Sequence, residues 1–379
     1  MRRALLPFTV GIALALNARP AAACGGVVSP AQSVVVQSQQ RVLISLRADG
    51  STRVVVQLGI PGANAPFGAL TPVAGLPTLD PKPVDSEELD TLDKTTRPVL
   101  RPSESDSGGG CGCGSAADTA GGTKGGGGGV SVVQMVDIGP VTAAVLAASS
   151  GAELTQWLGD NGFAVPAGDQ AVVATYIGPG KFFVAFKRND TPSGASSVGV
   201  SFSVPGDQRG YPLRISRVGA DTRLGIQVFV AAPEVVSPTG SAPAGNFQTL
   251  TLKDFPFSEL YADYTGTLYA GIQQRGGKAF VVESVYGATS GWRDQLGPRL
   301  QEITESGQVL SRLATVVAPT QLTEDVAFTG NAPNDVPKEI AMIWHPLGAP
   351  GGPGRYGELY MAASGLALAG LGLRRRRRS

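Results

Sequence analysis

A chain of 379 residues with 31 Lys and Arg against 30 Asp and Glu carries a formal charge of only +1, so its balance calls for no polyanionic partner. Hydrophobic residues make up 42%, enough for a core, while 52 Gly and 28 Pro favour strands and turns over long helices. A single histidine excludes His-rich metal sites and histidine relays.

Arg2 and Arg3 precede an apolar run over 4–16, and Ala21-Ala22-Ala23 supplies a small-residue cleavage site. Residues 1–23 therefore read as a signal peptide, cut between Ala23 and Cys24. An acyl chain on Cys24 is the alternative to a plain secreted start, although Ala21 stands where a lipobox carries Leu or a similar residue. At the other end, 359–373 is apolar and rich in small residues, and it abuts Arg374, Arg375, Arg376, Arg377 and Arg378. As a helix it reaches about 22 Å, short of the roughly 30 Å hydrocarbon core. A short span with a basic stop suits a sorting or thinly inserted membrane tail, its arginines held on the cytoplasmic side. Without the eight arginines of these two ends the body holds 23 basic against 30 acidic residues, about −7. Nucleic acid is accordingly not an expected partner.

The body reads as α+β, largely antiparallel sheets with a few short helices, in two sub-domains separated by a Gly-rich insertion. The N-terminal β-rich unit covers 24–102. Within it, Asp49-Gly50 between two β-branched runs predicts a hairpin, and 67–73 predicts a strand. Asp85 with Glu88 three residues on predicts a capped helix from 86 to about 95, stopped by Pro98. Segment 103–129 is low complexity and ends in five consecutive glycines, a flexible insertion. The main α+β domain covers 130–335. Strands are predicted at 130–138, 141–147, 171–177, 181–187, 198–204, 212–218, 225–231 and 278–286, with helices at 151–161, 261–273 and 298–306. Residues 336–358 form a Pro/Gly-rich stalk and 359–379 the tail.

Catalytic constellations are hard to find. His345 stands alone beside the stalk, and Gly287-Ala288-Thr289-Ser290-Gly291 places its Ser one position too late for a nucleophile elbow. Gly276-Gly277-Lys278-Ala279 lacks the first Gly and the Ser or Thr of a phosphate loop. Cys24, Cys111 and Cys113 are read as oxidisable thiols. A bridge from Cys24 to either of the others stays open, whereas one between Cys111 and Cys113 would be strained. Two thiols without a nearby histidine fall short of four metal ligands, so no metal and no cofactor is assigned. Glu87, Glu88, Asp90 and Asp93 read as the solvated face of the capped helix. Most aromatics fall at strand or helix spacing and read as core; Phe255, Phe257, Tyr261 and Tyr264 form the cluster to test for binding.

Several phrases also occur together in order: Ala23 to Gly26, Gln40 to Ile44, Phe67 to Val73, Trp157 to Phe163, Pro212 to Ile215, Phe280 to Gly287 and Leu310 to Leu313. In these the chain resembles the bacterial family catalogued as domain of unknown function 2330, over about Cys24 to Asp335. The tail resembles C-terminal sorting signals of the PEP-CTERM and MYXO-CTERM kind. What the resemblance implies is an exported envelope protein, with no established activity to carry over. Family members commonly hold an extra Cys shortly after the first, where this chain has Val27-Val28-Ser29, so a family disulfide is not implied here.

The expectation is thus an exported protein of the periplasm, outer membrane or cell surface, membrane-anchored through its tail at least transiently. It would act as a non-catalytic structural or binding module for a surface ligand that the sequence does not identify. The alternative is a hydrolase or carbohydrate-active enzyme of the envelope that works with carboxylates alone.

Overall fold

The computed structural model describes residues 26–30, 37–59, 67–102, 130–188, 198–240, 247–257, 264–330 and 339–342. Ala23, Cys24, Cys111, Cys113, His345, Tyr261, Arg374 to Arg378 and segment 103–129 lie outside the described residues.

The first segment runs β1 (Gly26–Val28), β2 (Gln37–Leu46), β3 (Ser51–Gly59), β4 (Gly68–Ala74), β5 (Thr78–Leu79), α1 (Ser86–Thr96) and β6 (Val99–Pro102). After the insertion come β7 (Val130–Ile138), β8 (Val141–Ala148), α2 (Gly151–Asp160), α3 (Gln170–Ala174), β9 (Lys181–Arg188), β10 (Gly199–Pro205), β11 (Gly210–Tyr211), β12 (Ala220–Ala232) and β13 (Val236–Gly240). The chain continues with β14 (Gln248–Thr251), α4 (Tyr264–Gln274), β15 (Ala279–Tyr286), α5 (Pro298–Ile303), β16 (Val309–Val317), β17 (Val326–Gly330) and β18 (Glu339–Met342). The fold is α+β and mostly β, as composition and turn density require.

Local chemistry accounts for the boundaries. β2 and β3 form the expected hairpin. Gly50 turns at φ 81°, and the Arg47 N–H donates to Ser51 O at 2.9 Å. At α2 the Ser150 hydroxyl accepts the Glu153 N–H at 3.2 Å, and the Glu153 carboxylate accepts from the N–H and hydroxyl of Ser149. Its exit is a left-handed Gly162 (φ 86°), past which the Phe163 N–H donates to Leu158 O at 2.8 Å.

Helix α1 departs from expectation at its cap. The Asp85 side chain makes no cap bond. Glu88 turns outward instead, and its carboxylate accepts the Arg299 N–H at 3.3 Å and the Leu300 N–H at 2.9 Å, capping α5. A side chain on Gly297 would meet that carboxylate and displace it from its capping position. We expect Glu88→Ala to lower stability by about 1 kcal/mol, the usual worth of a cap. A urea midpoint unchanged from wild type would refute that role.

Two predicted strands are helical. Residues 171–177 form α3 and its exit, because Val173 and Tyr176 lie three apart and both are buried against α2, a spacing that only a helix satisfies. Residues 212–218 form a 3-10 turn over Leu213–Arg217 that buries Leu213 and Ile215, which overrides their β propensity. Strand β18 falls in the segment expected to be stalk and pairs in parallel with β6.

Two large sheets dominate. The first has five antiparallel strands in the order β1-β4-β9-β8-β7. The second has eight, in the order β14-β15-β16-β12-β2-β3-β10-β5, parallel only at β12/β2 and β14/β15. The expected sub-domains are interleaved in these sheets: β4 lies between β1 and β9, and β2 lies between β12 and β3. The glycine-rich insertion divides the sequence and not the sheets.

The sheets pack face to face. Val42, Ile44, Val54 and Val228 of the larger meet Val145 and Val184 of the smaller in one core cluster. The outer face of the smaller sheet is covered by Leu154, Trp157 and Leu158 of α2. On the larger sheet, Leu43, Val55, Phe229 and Leu310 pack beneath Leu89 and Leu92 of α1 and Leu300 of α5. The result is a helix, sheet, sheet, helix stack, so the central strands are buried on both faces where the helices cover them.

Candidate functional site

On the helix-covered face of the larger sheet, side chains alternate with period two, and their character changes along the strands. In β2 the outward residues pass from Leu43 to Arg41 to Gln39, and in β12 from Phe229 to Gln227 to Gly225. The apolar ends lie under α1 and α5. The polar ends lie open, and register aligns Gln57, Arg41, Gln227 and Ala314 across β3, β2, β12 and β16. This polar half is the floor of a cleft of about 1000 Å³, walled by α1 on one side and α4 on the other. A lip at Asp221 to Arg223 bulges out of the β12/β2 register. It is tied to α4 by the Arg223 guanidinium, 4.5 Å from the Tyr269 ring centre.

Arg312 organises the inner end. Its Nε donates to Glu283 Oε2 at 2.6 Å, and Nη1 meets Asp93 Oδ1 at 2.8 Å. Nη2 donates to Gln227 Oε1 at 3.1 Å, and the plane lies 5.3 Å from the Phe229 ring centre. Side-chain exposure is 6% for Arg312 and 1% for Glu283, so this is a desolvated ion pair with its donors used. The Tyr264 hydroxyl donates to the other Glu283 oxygen. Burial first, and then the Glu283 charge, push the Tyr264 hydroxyl well above the usual tyrosine range, so it stays protonated and a donor.

The same groups hold α1 on the sheet. Its last carbonyls are taken by side chains of β15 and β16: Asp93 O by Arg312 Nη1 at 3.1 Å, Thr96 O by Ser284 Oγ at 2.8 Å and Thr95 O by Tyr286 Oη at 3.1 Å. A buried cation at a helix C-terminus also opposes the negative end of the dipole. Farther out, Arg41 bonds Asp90 at 2.9 Å and Gln57 at 2.7 Å, and Arg97 bonds Asp93 at 2.6 Å.

Sequence reading placed Glu87, Glu88, Asp90 and Asp93 on a solvated helix face. Glu87 is exposed, Asp90 and Asp93 are half-buried and line the cleft, and Glu88 caps α5. Burial raises the Asp93 carboxyl, but Arg312 and Arg41 beside it win, and it sits below the usual carboxylate range. Asp80 is treated alike: burial is outweighed by the Lys82 N–H and by Arg299. Both native pKa values therefore lie below their unfolded values near 3.9. The stabilisation is present above that value and lost as pH falls through the native ones. We expect the urea midpoint to hold between about pH 7 and 5 and to drop below about pH 4; a midpoint flat to pH 3 would contradict these pairings.

Of the aromatic cluster, Phe255 and Phe257 are buried, with ring centres 6.0 Å apart, and Phe257 stacks on Tyr264 at 5.4 Å. They back the α4 wall, and Tyr264 alone of the described members lines the cleft. Trp157, Tyr176, Phe183 and Phe186 are core, as their spacing implies.

Against this geometry, a family described as an uncharacterized protein conserved in bacteria, domain of unknown function 2330, matches residues 18–329. The chain belongs to this family. The match spans both sides of the glycine-rich segment and every strand that forms the cleft floor. No curated protein and no solved structure matches the chain. Among the described residues, no helix is long and apolar enough to cross a membrane, and no three His, Cys, Asp or Glu side chains gather as a metal site; the apolar stretch 359–373 lies outside them.

Proposed function

We propose that this member of the domain of unknown function 2330 family is an exported cell-envelope protein acting as a non-catalytic binding module, with the cleft between α1 and α4 as its ligand site. Export is supported by the signal-peptide pattern ending at Ala23, and envelope retention by the apolar tail with Arg374 to Arg378. A recessed site with a few convergent polar groups is the usual form of a small-ligand pocket.

The observation that carries the non-catalytic reading is the state of the two inner carboxylates. Asp93 and Glu283 both bond Arg312, and Asp93 is held below the usual range. Glycoside chemistry of the general acid kind needs one carboxyl that keeps a proton to give away. Arg312 and Arg41 beside Asp93 favour its ionised form instead, and Glu283 has its two oxygens taken by Arg312 and the Tyr264 hydroxyl.

Export is tested by fractionating cells and weighing the native protein intact. The reading expects an envelope or surface fraction and a chain that starts at Cys24. A cytoplasmic chain that retains residues 1–23 would overturn it. Turnover of envelope polysaccharide, abolished by Glu283→Gln in a folded variant, would favour the hydrolase reading.

A further inference from the structure

We infer that the cleft takes a neutral, polyhydroxylated ligand, a glycan strand, laid over the polar half of the larger sheet; this rests on the cleft being the binding site. The volume of about 1000 Å³ is at the upper end of small-ligand pockets, suited to an oligomer rather than an ion. Its lining holds four arginines and four carboxylates, so their formal charges cancel. Three of the four arginines are within 3 Å of a carboxylate oxygen: Arg41 with Asp90, Arg97 with Asp93 and Arg312 with Glu283. A polyanion or polycation would find no surplus field to steer it.

Peptide recognition fits poorly as well. Strand addition needs a sheet edge, and the floor is the middle of the sheet, with β14 and β5 at its edges. An amphipathic helix needs an apolar groove, whereas this floor presents Arg41, Gln57 and Gln227. Around that floor the exposed Gln39, Thr222 and Thr265 offer amide and hydroxyl groups that both donate and accept. Such groups match a surface of sugar hydroxyls, each of which also donates and accepts.

Gly225 gives the test. It lies in the floor on central strand β12, and a Cβ built there meets only Ser38 O, at 3.7 Å, an ordinary contact. Gly225→Tyr should therefore fold and fill the cleft. The full chain and this variant are titrated calorimetrically with hexasaccharides of β-1,4-glucose, α-1,4-glucose and β-1,4-N-acetylglucosamine, and with a mixed-sequence decapeptide and polyphosphate. The expected result is binding of at least one hexasaccharide, weakened at least tenfold by Gly225→Tyr at unchanged circular dichroism. Should the variant fail to fold, Gln39→Trp at the exposed margin replaces it. Decapeptide or polyphosphate binding that depends on Gly225, with no sugar bound, overturns the ligand class and leaves the cleft reading standing. Sugar binding indifferent to both substitutions overturns the proposal and the cleft reading together. Binding of none of the probes overturns the glycan assignment.

Discussion

Replacing Arg312 with methionine lowers the unfolding free energy by about 4 kcal/mol, the cost of breaking a buried ion pair from one side. The side chain is 6% exposed and Glu283 is 1% exposed, so the variant leaves a carboxylate buried without its counter-charge. It also strips Asp93 O and Thr96 Oγ1 of a donor at the end of α1. Two features separate this from simple loss of packing. Methionine keeps much of the apolar stem, so the loss is electrostatic. The double variant Arg312→Met with Glu283→Gln removes both charges and keeps an acceptor for Tyr264; it should recover at least half of the loss, because neutral replacement of a whole buried pair is often tolerated. Urea unfolding at pH 7.5 makes the measurement. A single variant within about 1 kcal/mol of wild type, or a double variant no better than the single, would mean that Arg312 does not hold α1 as described.

The second large effect is at the start of β12. Gly219 has φ 69°, and a Cβ there would run into the carbonyl of Val27 in β1. The close approach is used, because the Gln37 N–H donates to Gly219 O and the Val27 N–H to Val218 O, each at 2.8 Å. These bonds bring β1 and the start of β2 to the β12 entry. Gly219→Ala combines a left-handed non-glycine residue with a backbone collision, and we expect a loss of about 3 kcal/mol. Gly50→Ala is the control: its φ is 81°, but nothing lies within 4 Å of the added Cβ. That change should cost only about 1 kcal/mol. Equal losses at the two positions would show that the approach of Val27 contributes nothing.

Much of the fold was legible because its signals are local. Asp49-Gly50, Ser150 with Glu153, and Asn161-Gly162 each fix a turn or a cap within four residues, and the elements beside them form where expected. The failures are places where burial decides. Val172, Val173 and Ile177 favour a strand by propensity, yet Val173 and Tyr176 must share one face against α2. Strand β16, central to the larger sheet, carries no strand signal, since Leu310, Leu313 and Val316 mix with Ser311, Arg312 and Thr315 without a clean period of two. Burial on both faces removes that period.

The cleft was the least legible part. Arg41, Asp93, Glu283 and Arg312 lie as far as 271 positions apart, on four elements, and only sheet register and the packing of α1 on the sheet bring them together. A signal was present nonetheless. The phrases Gln40 to Ile44, Phe280 to Gly287 and Leu310 to Leu313, which carry the family resemblance, each set a charged residue beside apolar residues of a strand. Charges in such positions are nearly always paired, so asking which of them could be partners would have pointed to Glu283 and Arg312.

The most direct test of the account is a crystallographic fragment screen of the full chain, which presumes no ligand class. It should place polar fragments in the cleft between α1 and α4, over Gly225 and within reach of Arg41 and Gln227. Fragments that gather elsewhere on the molecule and leave this cleft empty would contradict its assignment as the binding site.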